Sequence, residues 1–253
     1  MTELLVLPDG IGAVTAAFIV LATMATSMVG AMFGVGGGTI LLAVLAVLLP
    51  PVALIPVHGV VQLGATGVRA VLLARHINRA TVLPFVAGSA IGSALSGVMF
   101  FQFFPPWLIQ YAVAAFIAWS VLGAMPAIGR RHILFAGAFS GFLTILFGAT
   151  GTFVSAFVKS MNMPPLRYVA THATLMSLQH LVKIVVFGVL GFAFGRYALL
   201  IALMLASGSV GTVIGRNILL NMSERRFKPV LNAILLVLAL RLAWQATEGL
   251  LAA

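Results

Sequence analysis

Across 253 residues the chain is 62% hydrophobic and only 7% charged, with mean hydropathy +1.19 and a formal net charge of +10. Soluble domains carry about 25% charged residues, so no soluble core absorbs this chain; apolar runs near the ~20 residues that cross a bilayer as a helix recur along its whole length. Cysteine is absent, which excludes disulfides, thiolate chemistry and Cys-ligated metals.

The first ten residues carry Glu3 and Asp9 and no base, so no removable signal peptide is expected. The first apolar run, Ile11–Phe33, ends at Gly34-Val-Gly-Gly-Gly38. A short apolar piece, Thr39–Leu49, then stops at Pro50-Pro51. Predicted spans follow at Val52–Ala74, Thr81–Phe101 and Trp107–Met125, separated by the basic loop Arg75–Arg79 and by Gln102–Pro106. The segment Pro126–His132, with Arg130 and Arg131, reads as a midpoint.

The same grammar then returns. Ile133–Phe147 is broken by Gly148-Ala-Thr-Gly151, and Thr152–Met163 is short and ends at Pro164-Pro165. Leu166–Leu190 and Tyr197–Leu219 are predicted spans, the loop Asn221–Lys228 is basic, and Pro229–Gln245 is the last span. Continuous rather than alternating apolar runs argue for helices and against a barrel.

Adding 114 to a residue number carries Phe33-Gly34 to Phe147-Gly148, Gly37 to Gly151, Pro50-Pro51 to Pro164-Pro165, His58 to His172 and Arg69 to Lys183. Coincidences of Gly, Pro and His at one ungapped offset mark an internal duplication, in a chain where matching Leu or Ala means little. The predicted repeats are residues 11–125 and 132–248. If each Gly-broken segment is a hairpin of short helices, each half has five segments and the halves are inverted. Arg75, Arg79, Arg130, Arg131, Lys159, Arg167, Arg225, Arg226 and Lys228 then share one face, with Arg196 opposite. If the broken segment crosses once, the same bases split evenly. The excess of Lys and Arg in cytoplasmic loops prefers the inverted arrangement. The expected fold is therefore an all-α polytopic membrane protein of two inverted repeats, each a Gly-broken helical hairpin plus three spanning helices.

The four acids, Glu3, Asp9, Glu224 and Glu248, fall in predicted termini or loops. Cation pumps and carriers place acids inside their spans, so a cation substrate is disfavoured. The bases lie scattered in short loops, which excludes nucleic acid as a partner; they suit acidic lipid headgroups or an anionic substrate.

Two constellations carry candidate chemistry. His58, Gln62, Thr66 and Arg69 share one face of their helix, as do His172, Gln179, His180 and Lys183. Polar groups in lipid face a cavity or a partner, and these side chains are rich in N–H donors, which suit an oxyanion. The structural alternatives are packed histidines and an Arg69 or Lys183 that snorkels to the interface. The second constellation is the breaks themselves. Glycine permits a broken membrane helix whose half-helix start presents free N–H groups and a positive dipole end, a device that transporters with inverted repeats use for anions. Gly36, Gly37, Gly38 and Thr39, with Gly151 and Thr152, are the candidate backbone donors, and Thr39 and Thr152 the expected N-caps. Gly88, Gly92, Gly208, Gly211 and Gly215 read instead as close helix packing.

Phe33-Gly-Val-Gly-Gly-Gly-Thr39 followed by Pro50-Pro51 and a polar helix, and then Pro164-Pro165, His172, Lys183 and Gly188, resemble the sulfite exporter TauE/SafE family over about residues 15–245. Gly148-Ala-Thr-Gly151 departs from the full glycine run of the first half. The resemblance implies a multi-pass permease of the bacterial cytoplasmic membrane. It implies movement, usually export, of small sulfur-containing anions such as sulfite or organosulfonates. No nucleotide-binding P-loop is present, and no cysteine, intramembrane acid or His-x-x-x-His pair supports an enzyme or a metal site. The expectation is a secondary transporter without cofactor, working by alternating access. An anion channel and a membrane subunit of a larger complex remain as alternatives, and oligomeric state stays open.

Overall fold

The computed structural model describes residues 7–8, 10–33, 36–103, 105–122, 132–218 and 224–251. Among them the chain forms ten α-helices and no strand: α1 (Ala13–Phe33), α2 (Gly37–Leu48), α3 (Pro51–Leu72), α4 (Arg79–Phe103), α5 (Pro106–Leu122), α6 (Ile133–Phe147), α7 (Gly151–Lys159), α8 (Pro165–Val189), α9 (Ala198–Ile218) and α10 (Glu224–Leu251). Five stretches in α1, α3, α4, α8 and α9 are long and apolar enough to cross a membrane. The protein is a multi-pass membrane protein. Glu3, Asp9, Gly34, Arg130 and Arg131 lie outside the described residues.

Both Pro pairs sit at helix starts. Pro50 and Pro164 are extended at ψ 137 and 148, and Pro51 and Pro165 open α3 and α8. Proline at the first helical position gives up only an N–H that has no intrahelical acceptor. Helix α1 stops at Phe33 and α2 starts at Gly37, after Gly36 at φ 102; α6 stops at Phe147, and Gly148 turns the chain at φ 82. These left-handed angles are open to glycine at little cost. With 12 and 9 residues, α2 and α7 are about 18 and 14 Å long at ~1.5 Å per residue. Both fall short of a ~30 Å hydrocarbon core and are half-helices.

Three expectations need correcting. The N-caps of α2 and α7 are Gly36 and Thr150, neither with a side-chain capping bond, rather than Thr39 and Thr152. Helix α2 takes in Gly37 and Gly38; only glycine fits at 37, where a Cβ would meet the carbonyl of Thr26 and lie 2.7 Å from the nitrogen of Gly30. The last helix begins at Glu224 rather than Pro229. Glu248 consequently lies on α10, not in a loop, but it remains exposed and accepts a bond from Trp244 Nε1 at 2.8 Å.

The first helix of each half packs on the fourth of the other. Gly88 and Gly92 of α4 meet the backbone at Leu134 and Ala138, while Gly137 and Gly141 of α6 meet it at Phe85 and Ser89, so α4 and α6 run parallel. Gly211 and Gly215 of α9 meet the backbone of Met24 and Met28, so α1 and α9 also run parallel. Small residues let backbones approach this closely in lipid, as expected for these glycines. The central pair, α3 and α8, runs antiparallel: His58 lies beside His180, and Ser177 Oγ donates to Thr66 Oγ1 at 3.0 Å. Helices α5 and α10 are antiparallel too, with Tyr111 and Thr247 hydroxyls 2.7 Å apart and Trp107 against Gly249.

Candidate anion site at the glycine breaks

One cavity lies where α3 and α8 cross, walled by the starts of α2 and α7 and by α1. It offers about 60 Å³ of water-accessible space, several times the ~10–15 Å³ that one water needs. Its walls include Gly36, Gly37, Gly38, Thr39, His58, Gln62, Arg69, Gly151, Thr152, His172 and His180. Eleven of the thirteen candidate residues are thus brought together, from both halves. Helix α3 supplies one face, with Arg69 partly exposed and His58 buried; α8 supplies His172, Met176 and His180.

Beyond the N-cap, the first three N–H groups of a helix lack an intrahelical acceptor. At α2 these belong to Gly37, Gly38 and Thr39, and at α7 to Gly151, Thr152 and Phe153; regular bonding resumes with Ile40 N to Gly36 O and Val154 N to Thr150 O, both 3.0 Å. The cavity therefore receives the positive ends of two half-helices at once.

The histidines are tied to these same turns. His58 Nε2 donates to the carbonyl of Gly38 at 2.9 Å, and His172 Nε2 donates to the carbonyl of Gly151 at 3.2 Å. A carbonyl only accepts, so both imidazoles carry hydrogen on Nε2 and hold the first turn of the half-helix beside them. That differs from the expectation that their N–H groups point at a substrate. Each duplicated histidine braces its own half's break, one residue out of register between the halves.

Two candidates are not in the cavity. Gln179 is buried and spent on α6 and the α7 cap: its Nε2 donates to Ser140 O at 3.0 Å and Thr150 Oγ1 at 2.8 Å, and its Oε1 accepts from Ser140 Oγ at 3.0 Å. Lys183 is wholly buried, with Nζ donating to Gly148 O at 2.7 Å and Thr144 Oγ1 at 3.4 Å. It lies at the carbonyl end of α6 and not at a mouth or an interface. The physical reason is the helix dipole, whose negative end is the best available partner for an ammonium. Cavity residues absent from the sequence reading are Thr26, Ser27 and Gly30 of α1, together with Ala65, Ala149 and Met176. A small, polar run just before a glycine break was the available signal for the first three. Among the described residues no cluster of His, Asp or Glu has the makings of a metal site.

A family profile described as sulfite exporter TauE/SafE matches residues 19–242. No curated protein and no solved structure matches the chain. The match takes in both glycine breaks, both polar helices and the cavity between them, and on that basis this protein, a membrane transporter of small anions, belongs to the sulfite exporter TauE/SafE family.

Proposed function

We propose that the protein is a secondary carrier of a small oxyanion, sulfite or a compact organosulfonate. We propose further that it works as an exporter in the bacterial cytoplasmic membrane by alternating access. One observation carries the reading: a single cavity receives the N-terminal turns of both half-helices together with Arg69. Backbone N–H groups and a guanidinium donate and do not accept, so the lining matches a ligand made of acceptor oxygens. Charge-assisted hydrogen bonds of this kind contribute about 1.5–3 kcal/mol each. In this reading Arg69 and the free N–H groups of residues 37–39 and 151–152 touch the anion. His58 and His172 hold those groups in register, and Gln62 lines the wall.

The repeats, residues 11–125 and 132–248, are read as inverted. Antiparallel α3 against α8 and α5 against α10, beside parallel α1–α9 and α4–α6, are the directions that two inverted halves produce; halves of the same orientation would make α3 and α8 parallel. The cavity's Arg69 end would then face the cytoplasm, with Arg75 and Arg79. A cysteine at Asn78, unique in this chain, should stay unlabelled by an impermeant reagent applied outside intact cells; labelling from outside would sink the inverted topology.

The activity is tested in proteoliposomes loaded with a panel of sulfur oxyanions and carboxylates. Saturable sulfite or sulfonate flux accelerated by the same anion on the far side is expected. Flux without saturation or trans-acceleration points to a channel, and no flux of any anion overturns the reading.

A further inference from the structure

The cavity is lopsided although the sequence beneath it is duplicated. The offset of 114 pairs Arg69 with Lys183, Thr66 with His180 and Gly59 with Ala173. Because α3 and α8 are antiparallel, these pairs sit at opposite ends of their crossing. At one end, Arg69 and Thr66 border open space beside His172. At the other, His58 and His180 meet edge to face, with ring centroids 6.2 Å apart. Beyond them Lys183 is sealed in, its stem in the space that Gly59 leaves: a Cβ at Gly59 would come 3.0 Å from Cε.

Among the described residues no carboxylate pairs with Lys183. None of the chain's four acids lies near it in sequence, and its bonds go to one carbonyl and one hydroxyl at the end of α6. A buried cation is costly unless well paired, and a helix end supplies only about half a charge. A bound anion is the stronger partner. The position equivalent to this stored cation is the one that lines the cavity on the other half.

We propose that Arg69 and Lys183 take turns as the cationic partner of the transported anion. In this conformation Arg69 lines the cavity and Lys183 is stored at the carbonyl end of α6. In the opposite-facing conformation Lys183 leaves Gly148 and Gly59 and lines the cavity, while Arg69 withdraws against Ala173. The proposal rests on the carrier reading. Each state keeps one cation and two half-helix starts, and the handover moves access from one membrane face to the other.

The native protein supplies the test, since it holds only three lysines, Lys159, Lys183 and Lys228. Right-side-out and inside-out vesicles are treated with an impermeant acetylating ester, with and without sulfite on both sides, and the lysines are mapped by mass spectrometry. Lys183 is expected to be acetylated from the face opposite to the one that labels Lys159 and Lys228. Labelling of Lys183 from that same face, or from neither, overturns the handover. Lys183→Arg should keep sulfite exchange, whereas Lys183→Met should bind sulfite within about threefold of wild type and lose exchange at least tenfold. Exchange at the wild-type rate in Lys183→Met also overturns it. Sulfite binding to the unmodified protein separates the two ideas: no binding sinks the carrier reading, and binding with the wrong labelling sinks only the handover.

Discussion

The two glycine breaks perform the same task with different margins. At the first, Gly37 is pressed against α1, where a Cβ would meet the Thr26 carbonyl and lie 2.7 Å from Gly30 N. At the second, the same Cβ on Gly151 would meet only Met176 Cε, at 3.9 Å. In the first half Gly37 answers a backbone-to-backbone contact, while a Cβ on Gly38 would meet the Gln62 side chain. The thinner Gly148-Ala-Thr-Gly151 suffices where a side-chain network, Gln179 with Ser140 and Thr150, holds the turn instead. Both breaks have a glycine turn and a histidine bonded to it, and their means of support differ.

The largest effect should separate the breaks directly. Gly37→Ala is expected to cost several kcal/mol, since overpacking costs about 1–3 kcal/mol where side chains give way and more against fixed backbone; folded yield and transport should both fall severely. Gly151→Ala should leave thermal unfolding in detergent nearly unchanged. Similar losses in both variants would break the comparison. Next in size, Gln179→Ala leaves Ser140 O and the Thr150 hydroxyl without this partner inside the protein. A loss of about 1–3 kcal/mol follows, read as a lowered unfolding temperature, whereas the equivalent position in the first half is already Ala65.

The braces should behave alike across the halves. His58→Ala and His172→Ala each remove a neutral hydrogen bond worth about 1 kcal/mol. Because each bond sets a half-helix start, anion binding should weaken about fivefold. His58 is expected to give the larger loss, since its bond is the shorter, 2.9 against 3.2 Å. Isothermal titration with sulfite measures both, and binding unchanged in both variants would make the braces dispensable. Smallest of all, Gly59→Ala displaces only the flexible end of Lys183, 3.0 Å away, and should change sulfite exchange less than threefold.

Much of this architecture was legible in the residue pattern. Glycine breaks, Pro-Pro helix starts and the offset of 114 each rest on residues whose backbone demands are local, so sequence alone located them. The polar faces of α3 and α8 were legible for the same reason, since helical spacing sets a face. What each side chain touches depends on neighbours distant in sequence. The carbonyl of Gly148 holds Lys183 inside the protein rather than at the interface, and Ser140 draws Gln179 away from the cavity. The bonds of His58 to Gly38 and of His172 to Gly151 likewise depend on turns about twenty residues away. Thr26, Ser27 and Gly30 escaped notice because α1 is apolar overall, and its contribution comes from lying against the start of α2.

The central claim is that two duplicated halves build one shared anion site and not one site each. The direct measurement is the stoichiometry of sulfite bound per chain to the purified protein at saturation. One sulfite per chain, lost on weakening either Arg69 or the α7 start, is the predicted result; two per chain, or one that is indifferent to the second half, would contradict it.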